Sequence, residues 1–190
     1  MDWKCSKNRS YAKTICRTSS QAESFAMLHF SHREKENLIV LTMRVRQNNI
    51  PLEKNGKQTE IDTLVVSKYG IFLGEVKNYK GQISGNENDL TWAQIKESSG
   101  GKCYENTIKN PVKQAKFQTY LLSSILKENG LNCYIHPYVV FTGAEDIITD
   151  SELVLRSENE FHNTILSYHD TRISNENLKK LKGVIECLKK

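Results

Sequence analysis

The run Glu60-Ile61-Asp62-Thr63-Leu64-Val65-Val66, Ser67-Lys68-Tyr69-Gly70, Ile71-Phe72-Leu73-Gly74-Glu75-Val76-Lys77 constrains the fold more than any other part of the chain. Two apolar, β-branched stretches flank a short segment ending in glycine, which predicts two strands of a hairpin. Inside the second stretch stand Glu75 and Lys77. A charged group taken out of water costs several kcal/mol unless it is paired or metal-bound, so charges at these positions point to chemistry.

Side chains alternate faces along a strand. Glu75 and Lys77 therefore point the same way, with Val76 opposite. Asp62, near the start of the preceding strand, lies beside them if the hairpin pairs in the obvious register. Two carboxylates and an ammonium then share one patch of sheet. Carboxylate oxygens suit a hard divalent cation such as Mg2+, and a lysine next to that cation has its ammonium form disfavoured, so that it can orient or deprotonate a water.

Asp62 and Glu75-x-Lys77, running on into Asn78-Tyr79-Lys80-Gly81, resemble the nuclease-related domain (NERD), a branch of the PD-(D/E)xK restriction-endonuclease-like superfamily. Ile61-Asp62, Gly70-Ile71-Phe72, Trp92 and Asn110-Pro111-Val112-x-Gln114 fall in the family's order, and the resemblance covers about residues 20–145. An isolated E-x-K occurs by chance on many solvated surfaces; the ordered string is far more specific. The family pattern has Gln before the Ile-Asp pair and Gly before the first-helix Glu, where this chain carries Glu60 and Ala22. Neither departure removes a metal ligand. The resemblance implies that Asp62, Glu75 and the Val76 carbonyl ligate Mg2+ or Mn2+, that Lys77 handles the attacking water, and that Gln114 reaches into the site. It also implies that Glu23 on the first helix approaches the metal, although Ser20-x-x-Glu23 is equally a capping box that satisfies the glutamate locally.

A chain of 190 residues fits one domain, or one domain with an appendage. No run of about eighteen apolar residues is present, so no membrane span is expected. The basic start, Met1 to Arg9, lacks an apolar stretch after it and does not read as a secretory signal. Cysteines at 5, 16, 103, 133 and 187 form no C-x-x-C pair, so reduced thiols in a cytoplasmic protein are expected. The net charge of +5 permits a polyanionic partner without demanding one.

Residues 1–18 form a basic arm carrying Lys4, Lys7, Arg9, Lys13 and Arg17, either a tail or a segment that settles on phosphate. A helix follows from Ser20, with His29 and His32 on one face and no third zinc ligand in view, and Leu38–Arg46 reads as a strand. Gln47 to Pro51 reads as a break and Lys54 to Lys57 as a turn. Beyond Lys77, a short hairpin carries Trp92, and Ser98 to Lys102 is a loop. Lys96 and Cys103 stand where a P-loop needs Gly and Ser or Thr, which excludes that motif. Asn110-Pro111 starts a helix that Asn129-Gly130 stops. Tyr134–Phe141 is a strand with Pro137 near its start, Glu145 to Glu152 an acidic surface loop away from the groove, and Leu153–Leu155 a short strand. Ser157-x-x-Glu160 caps a helix, and Asn175–Lys190 is an amphipathic helix packed on the body.

These readings give an α/β fold: a restriction-endonuclease-like α-β-β-β-α-β core at 19–145 with a central mixed sheet, and a helical C-terminal extension at 146–190. The expected function is metal-dependent hydrolysis of phosphodiester bonds, with DNA favoured over RNA. Tyr79, Lys80, Lys113 and Lys116 are the candidate nucleic-acid contacts, with Tyr79 equally readable as a core aromatic and the two helix lysines as solvated side chains. A homodimer would suit cutting of both strands, and a helicase or sensor would be a separate partner. The alternatives are a nucleic-acid-binding or assembly module without turnover, and a structural ion pair, which leaves Asp62 unexplained.

Overall fold

The computed structural model describes residues 50–170 and 172–188. The arm at 1–18, the first helix with Glu23, His29 and His32, and the strand read at Leu38–Arg46 lie outside them.

Two hairpins lead into the site. β1 (Ile50–Lys54) pairs antiparallel with β2 (Lys57–Ile61) across a turn where Asn55 and Gly56 take φ of 51° and 72°. Asn and Gly are the residues that accept this left-handed backbone. The break read at Gln47 to Pro51 therefore ends sooner than expected. Ile50 and Leu52 alternate inward, both buried, and Pro51 between them faces out. β3 (Thr63–Ser67) pairs antiparallel with β4 (Gly70–Lys77), Thr63 opposite Gly74 and Ser67 opposite Gly70. The single strand expected over Glu60–Val66 is thus two strands in different sheets, and Asp62 is the bend between them.

The central sheet has the order β10-β8-β4-β3 and is mixed, as expected. β8 (Ile135–Phe141) runs parallel to β4, and β10 (Val154–Leu155) parallel to β8. Pro137 sits inside this sheet because β10 is so short. The Val139 N–H bonds to Leu153 O on the β10 side. Pro137, two residues earlier, faces its missing N–H to the same side, before β10 begins.

A second sheet, β7-β6-β5-β9, joins β5 (Gly81–Ser84), β6 (Thr91–Glu97), β7 (Cys103–Lys109) and β9 (Ala144–Ile148). The Trp92 hairpin is therefore part of a larger sheet, and Ser98 to Lys102 is the turn of β6–β7, closed by Gly101 N–H to Ser98 O. The stretch read as an acidic loop overlaps β9: past an irregularity that leaves Glu145 unpaired, Ile147 is buried between the exposed Asp146 and Ile148, a pattern too short to show against the acids. Gly81, with φ of 81°, lets β5 approach β6; a Cβ there would fall 2.1 Å from Ile95 O.

Helix α1 (Pro111–Glu128) packs on β8, β4 and β1 through Val112, Ala115, Leu121, Leu122 and Leu126. Its start is as read: Asn110 Oδ1 accepts from the N–H groups of Val112 and Lys113, and Pro111 follows. The Asn110 amide also donates to the carbonyls of Asn86, Glu87 and Asp89, tying the β5–β6 loop to the helix. Its end has Asn129 as cap and Gly130 at φ of 66°. Helix α2 (Glu158–Ser167) starts at Ser157, whose Oγ accepts from Glu160 N–H, and buries Phe161 and Ile165. Helix α3 (Asn175–Leu188) buries Leu178, Leu181 and Ile185, so its apolar stripe is core packing. Each such side chain contributes roughly 1.5–3 kcal/mol relative to exposure. No helix among the described residues is long and apolar enough to cross a membrane.

Candidate active site

Strand β4 carries the charges at its carboxyl end. Glu75 and Lys77 share a face, as the two-residue period requires, and Lys77 Nζ lies 2.6 Å from Glu75 Oε1. The glutamate side chain is 1% exposed and the lysine 15%. Asp62 reaches them from the bend rather than from a paired position: its Oδ2 accepts from the Val76 N–H at 2.9 Å. The bend turns the side chain back onto the neighbouring strand.

Helix α1 supplies the other wall. Gln114, in its first turn, accepts from Lys77 Nζ through Oε1 at 3.2 Å. One turn later Gln118, fully buried, donates through Nε2 to Glu75 Oε2 at 2.5 Å and to Glu60 O at 2.7 Å. Gln118 was not singled out in the sequence. The signal available was its spacing of four from Gln114, which places both amides along one edge of the helix, Gln118 among the leucines.

Burial and the charge of Glu75 push the Asp62 carboxyl up to about 7, against the opposing pull of the Val76 N–H and of Lys77. Burial alone would lower Lys77, but the charge of Glu75 and its hydrogen bond outweigh this and hold the ammonium above its usual value. In this metal-free arrangement the Lys77 ammonium donates to Glu75 and Gln114.

The donor set fits a hard divalent cation. Asp62 and Glu75 offer carboxylate oxygens close together, and Val76 between Glu75 and Lys77 a backbone carbonyl, the oxygen ligands that such a cation takes. No group of three His, Cys, Asp or Glu side chains gathers among the described residues. The third acidic candidate, Glu23, is outside them.

The remaining candidates are spread out. Tyr79 is half-buried, leaning on the core with its ring 6.4 Å from Phe141, and Lys80 is exposed. Lys113 Nζ donates to Asn88 O at 2.7 Å, and Lys116 Nζ lies 2.5 Å from Glu87 Oε1. Both lysines hold the β5–β6 loop. Asp150 and Ser151 bond the same loop, to Glu87 N–H and Oε2 respectively. Among the histidines, His136 is buried and stacked on Phe72 at 4.9 Å, a structural position. Cys103, Cys133 and Cys187 are free thiols.

Residues 20–142 match the family described as nuclease-related domain. An uncharacterized protein of Bacillus anthracis is 27% identical over 124 residues, which is 64% of this chain and 55% of that protein. The chain thus spans about half the length of this curated relative. No solved structure gives a significant match.

Proposed function

This chain belongs to the nuclease-related domain family, and we propose that it is a metal-dependent nuclease hydrolysing phosphodiester bonds in nucleic acid, DNA in preference to RNA. The observation that carries this reading is the convergence of Asp62, Glu75, Lys77 and Gln114 from a bend, a strand and a helix onto one half-buried patch, linked at 2.6–3.2 Å. A buried ion pair adds little stability over apolar packing, so its presence there supports a chemical role.

Asp62 and Glu75, with the Val76 carbonyl, would hold Mg2+ or Mn2+, which polarises a phosphoryl oxygen and makes a bound water more acidic. Lys77 would donate to the phosphate oxygen on which charge develops and position or activate the attacking water. Gln114 accepts from the same ammonium and fixes its direction. Glu23 stays a third acidic candidate. Lys80 and Tyr79, just past the strand, are proposed to meet backbone and base; Lys113 and Lys116 would do so only by releasing Asn88 and Glu87.

A cytoplasmic location, a basic arm at 1–18, a nuclease core at 19–145 with 146–190 as an extension, a homodimer for paired cuts and a separate helicase or sensor partner belong to the same proposal. Labelled single- and double-stranded DNA and RNA, incubated with Mg2+, Mn2+ or EDTA, test it. Cleavage of DNA that stops in EDTA is expected. Binding on a gel without cleavage in either metal would instead identify a binding module on the same fold.

A further inference from the structure

We infer that Gln118 is a positioning residue of the site, whose single amide nitrogen fixes the Glu75 carboxylate relative to the strand end that carries Asp62. The inference rests on the reading of Asp62 and Glu75 as metal ligands. Three observations lead to it. The nitrogen bonds Glu75 Oε2 and Glu60 O together, so it ties β4 to the residue two positions before Asp62. Both partners are acceptors, which settles which end of the amide faces them. The side chain is fully buried in the middle of a helix face otherwise made of Ala115, Leu121 and Leu122, where a leucine would pack without needing partners.

Without this amide, Glu75 keeps Lys77 on one oxygen and nothing among the described residues on the other. Its carboxylate is then free to turn about its last torsion, and the Glu60–Asp62 bend loses its anchor to the helix. Two ligands whose spacing is no longer fixed bind a cation more weakly, and loss of such outer partners typically costs about 10- to 100-fold in metal affinity. A purely structural amide would instead lower stability and leave metal affinity alone.

The test is calorimetric titration of the metal-free protein with Mn2+, for wild type, Gln118→Met and Gln118→Asn. Methionine keeps the volume without the donor; asparagine keeps the amide one methylene short of spanning both acceptors. Mn2+ affinity is expected to fall about 10- to 100-fold in both, nucleic-acid affinity in EDTA to stay within about twofold, and lost cleavage to return as Mn2+ is raised. Should the methionine variant fail to fold, as read by a thermal melt, the asparagine variant carries the test. Variants that bind Mn2+ as tightly as wild type overturn the inference and leave the nuclease reading standing. A wild type that binds no Mn2+ overturns the nuclease reading, and this inference with it.

Discussion

Asp62 accepts a 2.9 Å hydrogen bond from the backbone N–H of Val76, the residue between Glu75 and Lys77. This bond ties the bend to the strand and brings the two carboxylates together in a site where burial disfavours the charge of Asp62. The geometry suits a cation and works against the stability of the metal-free protein.

Asp62→Asn separates these two effects. Asparagine can still accept from Val76 N–H but carries no charge. A carboxyl whose folded pKa is raised contributes stability that is full below its usual value of 3.8 and is lost as pH rises through about 7. In EDTA the stability difference between variant and wild type should thus grow over this window. At pH 8 the variant should be the more stable by about 1–3 kcal/mol, with cleavage abolished. Denaturant melts from pH 4 to pH 8 check the sign; a difference that does not change with pH would mean that Asp62 is not strained by burial.

Asn110→Ala should cost about 2–4 kcal/mol. The residue is 3% exposed, caps α1 and donates to three carbonyls of the β5–β6 loop, so alanine removes a cap and leaves acceptors unpaired. Urea denaturation measures the loss. Limited proteolysis should cut the variant first near Asn86 to Asp89, the released loop.

Lys80, exposed beside the strand end, and Lys113 and Lys116, committed to the loop, should differ in nucleic-acid binding. Lys80→Ala is expected to reduce the slope of log affinity against log salt by about 1. Lys113→Ala and Lys116→Ala should change it less. Fluorescence anisotropy at several salt concentrations in EDTA reads the slopes; equal changes for all three lysines would place the nucleic acid across the start of α1.

The hairpin, the shared face of Glu75 and Lys77, the capped start of α1 at Asn110-Pro111 and the α3 stripe were legible because each follows from a local rule of period, turn or cap. The bend at Asp62 was not. Ile61 and Thr63–Val66 are all buried, so apolar periodicity runs through the residue where the chain changes sheets. β9 was hidden for the opposite reason, since the exposed Glu145, at an irregularity of the ladder, and Asp146 beside it gave the segment a loop's composition. That Lys113 and Lys116 meet Asn88 and Glu87 was not legible either, because a sequence shows charge but not the loop, 25 and 29 residues away along the chain, that it meets. Gln118 was missed because its role depends on Glu60 and Glu75 arriving from two strands, 58 and 43 residues distant. Such a partner cannot be read from a helix alone.

The most direct test of the central claim is cleavage of labelled DNA in Mg2+ by wild type, Glu75→Ala and Lys77→Ala, with each protein's fold checked by circular dichroism. Removing a metal ligand or the charge-stabilising ammonium should each lower the rate by about 100-fold or more, and EDTA should abolish cutting by wild type. Cutting that persists undiminished in both folded variants would contradict the account and move the chemistry away from the end of β4.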